Sequence, residues 1–118
     1  MNDKFEKDEI VIIDYSQYGR MNFRKGKIIE VTKAGNYKVL EDGKEKYEIF
    51  TPFGKLRGDK DWNSTYIRKF SQDLWDKFLR QQEKLNIIYK IQKVVFKNFN
   101  IEDLREIEKI IKKYENEE

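Results

Sequence analysis

The hydrophobic period of this chain changes at Ser71. Before it, apolar residues come in short runs or alternate with period two; after it they recur every three or four positions. A period of two sends successive side chains to opposite faces of a strand, whereas a period near 3.6 lines them along one stripe of a helix. The two patterns follow one another without interleaving. That predicts an α+β architecture, strands first and helices after.

Five strands are expected in the first part. Residues 9–14 (EIVIID) form the first, with four consecutive apolar residues, and Gly26 opens the second, GKIIEVTK. Ala34-Gly35-Asn36 has turn chemistry and leads to the third strand, Tyr37-Lys38-Val39-Leu40. Asp42-Gly43 is a hairpin signal, because both positions accept positive φ. Lys46-Tyr47-Glu48-Ile49-Phe50 then alternates as the fourth strand, which Pro52 ends. A looser loop covers residues 53–64, and TYIRKF at 65–70 is the fifth strand. Short strands at this density, with a long loop after the first, predict a small SH3-like five-stranded β-barrel over residues 1–70.

Residues 71–118 are expected to be a C-terminal helical hairpin. Ser71 is a suitable N-cap, with Asp73 in the first turn where the helix dipole favours an acid. Leu74, Phe78, Leu85, Ile88 and Val95 give one apolar stripe, and this helix is expected to reach about Lys97. Asn98-Phe99-Asn100 breaks it. Asn100 then caps a second helix, with Asp103 three residues on and a stripe of Ile101, Leu104, Ile107, Ile111 and Tyr114. Residues 77–97 hold six bases and one acid, net +5, while residues 100–118 hold four bases and seven acids, net −3. Complementary charge predicts antiparallel pairing of the two helices. Because a barrel of this size is marginal alone, the pair is expected to dock on it.

Two missing residue types limit the chemistry. Without Cys there is no disulfide, thiolate nucleophile or cysteine-held metal, and without His the commonest general base and imidazole ligand are gone. Asp42-Gly43-Lys44, with Asp14 upstream, formally fits half of a metal-dependent nuclease site, but a hairpin turn already accounts for Asp42-Gly43. The chain therefore reads as a non-enzyme with no cofactor, no metal and no catalytic residues. Its acidic N-terminal stretch MNDKFEKDEI lacks the apolar centre of a signal peptide, and no apolar run approaches the ~18 residues that span a bilayer. A cytoplasmic protein without membrane contact is expected.

What remains is binding. Residues 15–29 contain Arg20, Arg24, Lys25 and Lys27, the aromatics Tyr15, Tyr18 and Phe23, and no acid. In one reading the cations neutralise phosphates while Tyr18 or Phe23 stacks on a base. In the other, the aromatics fold back onto the core and the cations are only solvated. A second loop, with Lys55, Arg57, Lys60 and Trp62, extends this patch if two barrel loops flank one groove, although Asp59 and Asp61 dilute its charge and a buried Trp62 would simply lid the barrel. Lys90, Lys93 and Lys97 share a helical face, as solvated lysines ordinarily do. A net charge of only +3 and a pI near 8.9 do not by themselves mark a nucleic-acid binder.

The succession GKIIEVTKAGNYKVL, KYEIF, TYIRKFSQDLWDKF and NIEDLREIEKII, over residues 8–114, resembles the small β-barrel domain-containing proteins of bacteriophages and prophages, mostly without assigned function. That resemblance implies an accessory phage protein working in the cytoplasm of a bacterial host. Proteins of this class often bind and disable host machinery, including CRISPR effectors and other defence nucleases. The expected partner is thus a host protein or nucleoprotein complex. The alternatives are direct binding of DNA or RNA through the same face, and a structural role in which the helical hairpin mediates assembly. The chain itself is expected to be a monomer or a small homo-oligomer.

Overall fold

The structure, a computed structural model, describes residues 4–59 and 64–115. Five strands, β1 (Ile10–Asp14), β2 (Phe23–Val31), β3 (Tyr37–Glu41), β4 (Glu48–Phe50) and β5 (Tyr66–Lys69), precede helix α1 (Gln72–Gln92), a 3₁₀ turn (Phe96–Asn98) and helix α2 (Ile101–Glu115). The α+β expectation and the order of elements hold. All strand pairs are antiparallel, in the order β4-β3-β2-β1-β5, and the sheet curls into a half-barrel. The main chain of the segment after β4 reaches both ends of it. Arg57 N–H donates to the Ile49 carbonyl at 2.9 Å, Leu56 N–H to Thr65 at 2.7 Å, and Ile67 N–H to Gly54 at 2.8 Å.

Strand β1, between β2 and β5, is buried on both faces. Val11 and Ile13 point into the half-barrel with Phe5, Ile28, Tyr37, Val39, Phe50 and Ile67. Ile12 points the other way, against Phe23 of β2 and Phe78 of α1, with Leu74, Trp75, Met21 and Phe70 around them. Two buried faces explain why the strand reads as a continuous apolar run instead of an alternation. Gly26 lets β2 lie close over this core: a Cβ there would stand 2.8 Å from Ile13 Cδ1 and 3.1 Å from the Leu40 carbonyl oxygen.

Three boundaries depart from the sequence pattern. β2 begins at Phe23, not Gly26, because Phe23 through Lys27 pair with Asp14 back to Ile10. β4 begins at Glu48, since only Val39, Lys38 and Tyr37 of β3 have partners there, and Lys46-Tyr47 belong to the connection. Helix α1 stops at Gln92, with its last turn tightened by i→i−3 bonds from Lys93 and Val94 and extended backbone at Val95. Consecutive β-branched valines suit that ending. The expected caps are present: Leu74 N–H donates to Ser71 Oγ at 3.3 Å, and Asp103 N–H to Asn100 Oδ1 at 2.8 Å.

The chain forms two compact units, Met1–Glu83 and Lys84–Glu118, so the division falls inside α1 and its first turns belong with the sheet. Among the described residues no helix is long and apolar enough to cross a membrane. The Gly26 packing makes a specific prediction. Gly26→Ala should lower the unfolding free energy by about 1–3 kcal/mol, read by urea denaturation followed through tryptophan fluorescence, because the Leu40 carbonyl is backbone and the Ile13 side chain is confined in the core.

Candidate functional site

The β1–β2 connection is short and closed upon itself. Tyr15 N–H donates to Asn22 O at 2.8 Å, Asn22 N–H donates to Ser16 Oγ at 3.1 Å, and Gln17 and Arg20 exchange main-chain bonds at 2.9 and 3.2 Å. Tyr18 and Gly19 therefore form a two-residue turn, with φ of +52° and +78°. Positive φ at both central positions is the type I′ pattern, which matches the twist of paired strands. Glycine adopts it freely; a tyrosine is held there at a cost of ~1–2 kcal/mol. Yet the Tyr18 side chain gains no packing in return, being 92% exposed.

Beside this turn lies a cleft of about 350 Å³. Met21, Phe23 and Leu74 supply apolar walls, Arg20 and Arg68 supply cations, and Asp14 and Ser16 lie among them. Asp14, only 7% exposed, accepts from Ser16 N–H at 2.8 Å and from Arg68 Nε at 2.6 Å. Burial alone would raise the pKa of this carboxyl. The hydrogen bonds from the Ser16 hydroxyl and N–H, together with the Arg68 guanidinium, outweigh it and hold the pKa below the ordinary 3.8. Asp14 thus fixes Arg68 through one of its five donors, and about half of the Arg68 side chain, 55%, stays exposed. One buried carboxylate and two arginines leave the cleft with a net positive charge.

The basic stretch does not act as one surface. Cross-strand partners share a face, and Arg24 pairs with Ile13 while Lys25 pairs with Ile12 and Lys27 with Ile10. The pleat therefore sends Arg24 to one side and Lys25 and Lys27 to the other. Arg24 lies near Tyr15, whose phenol is pushed well above its ordinary range by burial and by its 2.6 Å hydrogen bond to Glu41. Lys25 Nζ sits 4.8 Å from the Trp75 ring centroid and 5.2 Å from that of Phe70, a cation–π bracket that belongs to the packing. Lys27 pairs with Asp8 at 3.7 Å. Phe23, expected as a stacking platform, is corrected to a core residue: it is 4% exposed, with its ring 5.3 Å from Phe78.

In the second expected loop, the main chain at Lys55 bridges to Tyr66, and that at Arg57 hydrogen-bonds β4. Lys60 and Trp62 lie outside the described residues. Of the sequence candidates, the structure brings Arg20 and Phe23 together in the cleft wall, with Tyr18 on the turn beside it. Asp14 and Arg68 were missed as a pair. Their only local signal is an acid closing an apolar strand, and their contact joins residues 54 apart in sequence.

Comparison with known proteins finds no matching family model, curated protein or solved structure.

Asp14 makes the cleft sensitive to acid. A depressed folded-state pKa gives stability that is complete above the ordinary carboxylate value and is lost as pH falls through the lower, folded one. Asp14→Asn should cost about 1–2 kcal/mol at neutral pH. The difference from wild type should shrink below about pH 4 in urea titrations across a pH series.

Proposed function

We propose that this chain is a non-catalytic binding protein whose half-barrel presents Tyr18, Arg20 and Arg68 to an acidic, partly apolar segment of a protein partner. Tyr18 carries the reading. A large aromatic side chain stands almost fully exposed at a turn position where Asn or Gly would be more stable, and unpaid local strain of this kind concentrates at functional positions. The adjoining cleft combines apolar walls with two cations, one of them positioned by a buried carboxylate. An acidic side chain flanked by an apolar one matches it; tyrosine and arginine are the residue types that most often dominate protein interfaces.

A polyanion reading is weaker, because a phosphate backbone needs a track of cations. The pleat divides Arg24 from Lys25 and Lys27, and the latter two already have intramolecular partners. The order β4-β3-β2-β1-β5, with β5 beside β1, supports an SH3-like barrel as the finer description of the fold. Within the phage-type class that the sequence resembles, the partner is a host nucleic-acid-processing complex in the bacterial cytoplasm. A defence nuclease such as a CRISPR effector is a suitable example, and the chain would act on it by occupying surface.

The test separates protein from nucleic acid and binding from folding. Capture from host lysate is compared for wild type, Tyr18→Asn and Arg20→Glu, with and without nuclease treatment. Tyr18→Asn should melt at the same temperature or a few degrees higher, since it relieves the positive-φ cost. It should nonetheless retain at least about tenfold less of the specific partner. Equal retention by both variants removes the cleft from the mechanism. Capture that nuclease abolishes, with oligonucleotide binding that falls steeply in salt, replaces this reading by direct nucleic-acid binding.

A further inference from the structure

The second unit leaves its apolar side uncovered. Helix α2 contains no buried residue, although Ile101, Leu104, Ile107, Ile110, Ile111 and Tyr114 are all apolar. Ile110 and Tyr114 are 60% and 62% exposed. At 100° per residue these six positions sweep about 180° of the helix surface. In the last turns of α1, Leu85, Ile87, Ile88, Tyr89 and Ile91 are likewise exposed, and they sweep roughly 200°. A helix facing a single core needs an apolar stripe of only ~100°. Each helix therefore carries apolar surface for more than one neighbour. Part of it is an open groove of about 470 Å³ formed by Phe96 with Leu104, Ile107 and Ile111, edged by Glu108 and Lys112. Exposed apolar area on this scale marks an interface.

Charge identifies the occupant. Residues 84–97 carry Lys84, Lys90, Lys93 and Lys97 and no acid, while residues 101–108 of α2 carry Glu102, Asp103, Glu106 and Glu108 against Arg105, before Lys109, Lys112 and Lys113 in its second half. A partner covering both helices has to offer acids to the first segment and bases to residues 101–108, on apolar helical faces. This chain's own second unit offers both. We propose that two copies associate about a two-fold axis, α2 of each seated on residues 84–95 of the other. Both charge patches are then matched twice, and the surplus apolar arcs are covered. The proposal is independent of the cleft on the first unit.

Sedimentation equilibrium on the full chain should give twice the 14.4 kDa chain mass. Two charge-reversed forms then test who pairs with whom. One carries Lys84→Glu with Lys93→Glu, the other Asp103→Lys with Glu108→Lys. Each alone places like charges across the interface and should raise the dissociation constant at least about tenfold. Mixed together they should restore a heterodimer, because the acidic α1 segment of one meets the basic α2 of the other, and the reverse contact is also matched. A wild-type chain that stays monomeric at high concentration overturns the proposal. So does a mixture no tighter than either form alone, which would mean that each chain satisfies its own charges. Open-ended association with rising concentration would also sink it, since a two-fold pair is closed. Unchanged tryptophan fluorescence of each form shows that the first unit remains folded, since both tryptophans, Trp62 and Trp75, belong to it.

Discussion

The double burial of β1 is the constraint on which the first unit depends. Val11 and Ile13 fill the half-barrel, Ile12 anchors Phe23 and Phe78 on the opposite face, and both neighbouring strands take their register from it. The start of α1 is held because Leu74, Trp75 and Phe78 have Ile12 and Phe23 to pack on. Asp14 is drawn into the interior because it ends this same strand, and its burial obliges Arg68 and Ser16 to satisfy it. Removing the methyl groups of β1 would thus open two cores at once.

What the sequence made legible is what local chemistry decides. The change of period at Ser71, the caps at Ser71 and Asn100, and the position of five strands all follow from neighbours within a few residues. Phe23 was misplaced because its strand character comes from pairing with Asp14, not from its own surroundings. The late start of β4 and the early end of α1 were missed for related reasons, strand register in one case and a β-branched pair in the other. Tyr18 and Arg20 were visible as surface residues. That Arg20 shares a cleft with Asp14 and Arg68 was not, since the β1–β5 contact brings together residues more than fifty apart.

A count of cations overstates the charge free to meet a partner. Lys25 lies over two aromatic rings, Lys27 faces Asp8 in the turn before β1, Lys38 faces Glu30 across strands, and Lys69 sits between Glu9 and the Phe5 ring. These pairs are exposed enough to add little stability each, but they absorb positive charge that composition alone assigns to binding. The electrostatic character of the cleft comes instead from two arginines, one fixed and one open.

The main-chain bonds from the Gly54–Arg57 stretch to Ile49, Thr65 and Ile67 have a further effect. They occupy N–H and C=O groups that β4 and β5 would otherwise display to any passing strand. The ends of the sheet are therefore poor templates for adding a foreign strand, whatever side chains stand there. A contact with another chain would thereby be directed away from backbone zippering and toward side-chain surfaces, where charge and shape select.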